Sequence, residues 1–139
     1  MKAAGVSMRE LAAATGVLGD MGIQGSMAGT SLGNMVYADF GILRGIVSDP
    51  DRAYKALKDN HFAVNVTDVV GISCPNIPGA LAKVLGYLSD EGVFIEYMYS
   101  FANNNIANVV IRPSNLDKCI EVLKEKKVDL LAASDLYKL

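Results

Sequence analysis

The feature that most constrains this chain is that it repeats itself. Shifted by 70 residues, Leu11 falls on Leu81, Leu18 on Leu88, Asp20 on Asp90, Gly22 on Gly92 and Ile23 on Val93. Shifted by 66 residues, Asp51 falls on Asp117, Arg52 on Lys118, Leu57 on Leu123 and Lys58 on Lys124. A chain of 139 residues with one such repeat is expected to be two copies of a small unit, divided as 1–67 and 68–139. The two offsets differ by four, which assigns about four extra residues to the first copy. The polar, Gly-containing stretch SLGNMVYAD (31–39) is expected to hold them as a loop.

The second copy reads in order. VVGIS (69–73) is β-branched and apolar, hence a strand. Leu81, Val84, Leu85 and Leu88 lie at i, i+3, i+4 and i+7, one face of a helix. Pro78 suits its start and Gly92 its stop. VFIEYMYSF (93–101) predicts a strand, ANNN (102–105) a turn and IANVVIR (106–112) the return strand of a hairpin. Leu116, Cys119, Ile120 and Leu123 repeat the helical spacing, and VDLLAAS (128–134) closes as a strand. The order βαββαβ is the ferredoxin-like plan, an α+β fold with two helices on one face of an antiparallel sheet.

The first copy predicts a helix from about Ser7 to Met21, a strand from Ile23 and a strand over FGILRGIV (40–47). A helix from about Asp51 to Asn60 and a strand FAVNVT (62–67) follow. The partner of Val69–Ser73 would fall at or before residue 3, so this unit is expected to lack a recognisable first strand. A partner chain, or the Gly- and Met-rich stretch 24–37, is expected to complete it.

A strand, then P-x-x-P-G-A-L (Pro75 to Leu81), then an amphipathic helix ending in D-E-G-V (Asp90 to Val93), then a long aromatic strand resembles an ACT domain. Two such units in a short chain resemble the stand-alone tandem ACT proteins of bacteria. The resemblance covers nearly all of 39–139 and implies a regulatory module. Such a module binds a small molecule, usually an amino acid, at an interface between paired ACT units. It implies that the ligand loop is the turn Asn76, Ile77, Pro78, Gly79, Ala80 and Leu81. In the first copy that place is taken by Ser7-Met8-Arg9-Glu10-Leu11, where Glu10 would repel a carboxylate, so one good loop per chain is expected.

The loop has a physical use without catalytic groups. The first N–H groups of a helix lack intrahelical partners and carry the positive end of its dipole, so an anion fits there. Gly79 permits close approach to the backbone, and Pro75 and Pro78 limit the loop's freedom before binding. Asn76 has a side chain suited either to cap the helix or to meet an ammonium group. The alternative is a plain strand-to-helix connection.

Composition narrows the classes. A net charge of −2 argues against nucleic acid, and no run of eighteen apolar residues exists to span a membrane. Lys118, Lys124, Lys126 and Lys127, diluted by Glu121 and Glu125, read as a solvated helix face. Cys74 and Cys119 form no C-x-x-C and no metal spacing, which fits a reduced cytoplasmic chain with no metal or cofactor. Cys74 reads as small and buried, Cys119 as core, and His61 as a solvated turn residue. Tyr97 and Tyr99 share one strand face, Glu96 and Met98 the other, and the alternation leaves open which is core.

These observations lead to a non-enzymatic amino-acid-binding regulator, a homodimer whose ligand alters contact with an enzyme of amino-acid metabolism. The rival readings are a small acylphosphatase-like hydrolase recruiting Arg112 and Asn103–Asn105, or a purely structural dimerisation module.

Overall fold

The computed structural model describes residues 7–14, 35–39 and 41–136. The strands are β1 (Ser7–Ala14), β2 (Met35–Asp39), β3 (Ile42–Ile46), β4 (Val64–Pro75), β5 (Ile95–Asn103), β6 (Ile106–Pro113) and β7 (Asp129–Leu131). The helices are α1 (Pro50–Asp59), α2 (Ala80–Asp90), α3 (Leu116–Glu125) and the short α4 (Ala133–Leu136). The fold is mixed α+β, with antiparallel pairing and βαββαβ-like units. Two compact units divide the chain, one built on Arg9–Thr67 and the other on Asp68–Ala133, with Met8 grouped with the second.

In the unit built on Asp68–Ala133, β4 lies between β6 and β7, and β5 pairs with the far edge of β6. Alternation sends Val70, Ile72 and Cys74 of β4, with Val109 and Ile111 of β6, toward the helices. There they pack with Val84 and Leu88 of α2 and with Cys119, Ile120 and Leu123 of α3, the apolar stripes expected from the helical spacing. A β-bulge between Ile95 and Tyr97 makes Glu96 an extra residue. Ile95 therefore packs on the helix side, while Tyr97 and Tyr99 sit opposite Arg112 and Val110 on the other face. Tyr99 is 5% exposed and Met98 40%, so the tyrosine face is the better buried of the two. Gly71 of β4 is a close-approach site, since a Cβ there would stand 3.0 Å from the Cβ of Leu131.

In the unit built on Arg9–Thr67, β1 and β2 flank β3. Leu11, Ala13, Val47, Ala53, Leu57, Phe62 and Val64 form its core. Three expectations for this unit are overturned. Ser7–Ala14 is a strand, not the first half of a helix, so a first strand is present. Leu11 and Ala13 face the core, while Met8 and Glu10, at 1% and 0% exposure, are buried by the opposite face. A strand buried on both faces loses the alternation that marks it, and its alanines favour helix by propensity alone. Met35–Asp39, expected as loop, is a strand in register with β3 from Met35↔Ile46 to Asp39↔Ile42. The strand expected from Ile23 lies outside the described residues.

Elsewhere boundaries shift. The strands expected at 62–67 and 69–73 are one strand, β4, because Thr67-Asp68 is polar but contains no turn-forming Gly or Pro. The closing strand is shortened to Asp129–Leu131, with α4 following. The three long helices among the described residues stop on one device. His61, Gly92 and Lys127 have φ of 65°, 69° and 56°, each just past a helix end. Phe62 donates to the Leu57 carbonyl, Val93 to Leu88 and Val128 to Leu123, the long bond of a Schellman motif.

Candidate functional site

The turn from β4 into α2 is held from one side. The Asn76 backbone amide donates to the Asn105 carbonyl at 2.8 Å, and Asn76 Nδ2 donates to the Asn104 carbonyl at 3.2 Å. Asn104 itself has φ of 55°, which turns the β5–β6 hairpin back on itself. The turn residue Asn104 and its neighbour Asn105 thus hold the start of the loop. Asn76 does not cap α2. Its oxygen Oδ1 has no protein donor among the described residues.

The cap position belongs to Gly79, with φ 85° and ψ −15°. Helix α2 therefore begins at Ala80, and Pro78 stands one residue before the cap rather than at the first helical position. Gly79 has no side chain to cap with, and nothing lies within 4 Å of a Cβ built there. The other long helices differ. Asp49 caps α1 by accepting from the Arg52 amide, and Asn115 caps α3 by accepting from the Lys118 amide. Both also carry an acid in the first turn, Asp51 and Asp117, and α2 has none. In α2 the Ala80 amide reaches the Ile77 carbonyl and the Lys83 amide the Gly79 carbonyl. The amides of Leu81 and Ala82 have no acceptor among the described residues. Ile77 is 64% exposed, so the loop offers an open apolar contact beside two open donors.

Next to the loop runs a groove of about 360 Å³. Ser73, Cys74 and Pro75 of β4, Ile77 and Ala80 form one part of its wall. Lys83, Val84 and Tyr87 of α2 and the turn Lys126 to Asp129 form the rest. Sequence reasoning missed it, and Lys126 and Lys127, expected on a solvated helix face, lie past the end of α3 at its rim. Burial pushes the Cys74 thiol up, and Cys119 is pushed up to about 11 by the same cause, so neither favours the nucleophilic thiolate.

The other singled-out residues are engaged elsewhere. Arg112 Nη1 donates to the Asp68 carbonyl at 2.7 Å, and its Nε lies 3.5 Å from Glu96. Arg112 and Asn105 sit near opposite ends of β6, so the structure does not bring together the groups a hydrolase would recruit. Glu10 is on a strand rather than at a helix start; it is fully buried, 3.6 Å from Arg44. Its expected correspondence to the loop therefore falls, and so does the inference that it repels a carboxylate there. Among the described residues no group of three His, Cys, Asp or Glu side chains gathers to hold a metal ion. No helix among them is long and apolar enough to cross a membrane.

A family model described as an ACT domain pair matches residues 14–139. The chain belongs to this ACT domain pair family. The crystal structure of protein BT0572 from Bacteroides thetaiotaomicron is similar at 68% identity and a TM-score of 0.83, covering 96% of this chain and 98% of that one. An aspartate kinase from Clostridium acetobutylicum matches at 11% identity and a TM-score of 0.55, over 87% of this chain and 33% of its own. A structure of aspartokinase alpha and beta subunits matches at 13% identity and a TM-score of 0.52, over 87% of this chain and 92% of that one. At these identities the two kinases share the ACT-type fold alone. No curated protein matches the chain. The ACT pair is a regulatory, ligand-binding fold, and the turn and groove just described are the candidate places for its ligand.

Proposed function

We propose that this ACT pair is a non-enzymatic regulator that binds an amino acid on the loop Asn76, Ile77, Pro78, Gly79, Ala80 and Leu81, at an interface between ACT units. The observation that carries the reading is the uncapped start of α2. Side chains, water or ligands satisfy such amides, and at α2 no side chain occupies the place a ligand would take. An α-carboxylate matches the open Leu81 and Ala82 amides, reinforced by the helix dipole. The free Oδ1 of Asn76 suits the ligand's ammonium group. Hydrogen bonds to Asn104 and Asn105 hold the loop before the ligand arrives, which lowers the ordering cost.

In this reading the pair divides at 1–67 and 68–139, assembles as a homodimer in the cytoplasm and needs no cofactor. The ligand alters which packing of ACT units is favoured, and so alters contact with an enzyme of amino-acid metabolism. The two free cysteines are consistent with a reducing compartment. Arg112 is engaged with the Asp68 carbonyl near the end of β6 opposite to Asn105, which supports regulation over hydrolysis.

The test is a thermal-shift screen of the full chain against the twenty amino acids, followed by calorimetry on any hit. A ligand at 100 times its dissociation constant should stabilise the protein by about 2.7 kcal/mol. A flat response to all twenty overturns the reading.

A further inference from the structure

The groove beside the loop has a chemistry of its own. Ile77 and Ala80 of the loop help to line it, whereas Leu81 and Ala82, which carry the open amides, do not. Its walls are mainly apolar, from Cys74, Ile77, Val84, Tyr87 and Val128. Its charged lining is Lys83, Lys126 and Lys127 against the single carboxylate Asp129. A surplus of two positive charges thus gathers in one concavity of a chain whose net charge is −2. None of the three ammonium groups has a carboxylate within ion-pair distance among the described residues. Lys126 Nζ instead lies 5.5 Å from the centre of the Tyr87 ring, which holds it at the rim. Lys83 sits in the first turn of α2, where a cation opposes the helix dipole, while α1 and α3 place Asp51 and Asp117 there. A volume of about 360 Å³ is that of a small-molecule pocket.

We propose that this groove binds a small carboxylate with an apolar body and no ammonium group, such as an aryl- or alkyl-substituted alkanoate. The carboxylate meets the lysines at the rim, and the body lies against Val84, Tyr87 and Val128. A zwitterion is disfavoured because its ammonium would face three cations and one anion. The groove adjoins the loop and shares Ile77 and Ala80 with it, and the assignment names a second ligand class, held by the lysines and not by the Leu81 and Ala82 amides.

The experiment is an amide NMR titration of the full chain with 3-phenylpropanoate, and separately with phenylalanine, which adds only the ammonium group. The expected result is saturable shifts at Val84, Tyr87 and Val128 with 3-phenylpropanoate, at least tenfold weaker with phenylalanine at those residues. Lys83→Gln combined with Lys126→Gln should weaken 3-phenylpropanoate at least tenfold while the spectrum keeps its folded dispersion. A single Lys127→Gln variant, on a different element from Lys83, serves if the double variant unfolds, and should weaken binding several-fold. The proposal is overturned if the groove residues do not shift, if phenylalanine binds there as tightly, or if neither lysine variant changes the affinity. The loop reading is scored from the Leu81 and Ala82 amides in the same spectra, so either assignment stands or falls alone.

Discussion

The backbone amide of Asn76 donates to the carbonyl of Asn105 at 2.8 Å, joining the β4–α2 loop to the β5–β6 turn. This bond survives any side-chain change at Asn76, whereas the Nδ2 bond to Asn104 does not. Asn76→Ala should therefore cost about 0.5–1.5 kcal/mol or less, since the residue is exposed. Amino-acid affinity should fall more than stability does, because the loop loses rigidity and the ligand loses Oδ1. Denaturant unfolding and calorimetry on the same variant check the two effects. Equal affinity in variant and wild type would remove Asn76 from the site.

A charge placed on the loop tests the amides directly. Ala80→Glu puts a carboxylate in the first turn of α2, where the helix dipole welcomes it. Stability should hold or rise slightly, and amino-acid binding should weaken at least tenfold, about 1.4 kcal/mol. Gly79→Val is a poorer probe: at φ 85° a branched residue strains the backbone by about 1–2 kcal/mol before any ligand is considered. A folded Ala80→Glu chain with undiminished affinity would make this turn a plain connection.

The three helix stops make an internal comparison. His61 and Lys127 hold left-handed backbone that Gly92 holds without a Cβ. His61→Gly and Lys127→Gly should each stabilise the fold by about 0.5–1 kcal/mol, and Gly92→Ala should destabilise it by about 1 kcal/mol. Denaturation midpoints read all three. A loss of stability in both glycine variants would mean that the side chains, not the backbone, decide these turns.

Burial raises the Cys119 thiol from its ordinary 9.0 to about 11. Below pH 9.0 the thiol is neutral in both states and its contribution is whole. As pH climbs from 9.0 toward 11, only the unfolded chain gives up the proton, so stability is lost across that window. Wild type should lose unfolding free energy more steeply there than Cys119→Ala, measured by urea titration at stepped pH. Parallel curves would show that the thiol is not held neutral by the core.

The second unit was legible because its signals are local. The run from Val69 to Cys74, the i, i+3, i+4, i+7 set in α2 and the turn chemistry of Asn104 each depend on neighbours in sequence. The first strand was not. Met8 and Glu10 are buried on one face of β1 and Leu11 and Ala13 on the other, and Glu10 lies against Arg44 of β3, a partner that no local pattern could supply. Reading that strand as helix also fixed a false alignment of Leu11 with Leu81, which turned Met35–Asp39 into a loop although Val36 and Tyr37 are good strand formers. Of the site, P-N-I-P-G announced the turn, but not the left-handed Gly79 or the open Leu81 and Ala82 amides. The groove was invisible because Lys83 of α2 and Lys126, just past the end of α3, are brought to one concavity only by the α2–α3 packing.

The extra residue at Glu96 makes β5 a strand with two reading frames. Before it, Ile95 answers to the helix-side core; after it, Tyr97 and Tyr99 answer to the opposite layer. Deleting Glu96 would make Ile95 and Tyr97 successive residues opposite Pro113 and Arg112, so each would keep its face and only the bulge would go. Substituting Glu96, which is exposed, would leave the parity untouched. The position is therefore a local insertion, one that bends and twists β5 without deciding which layer its neighbours join.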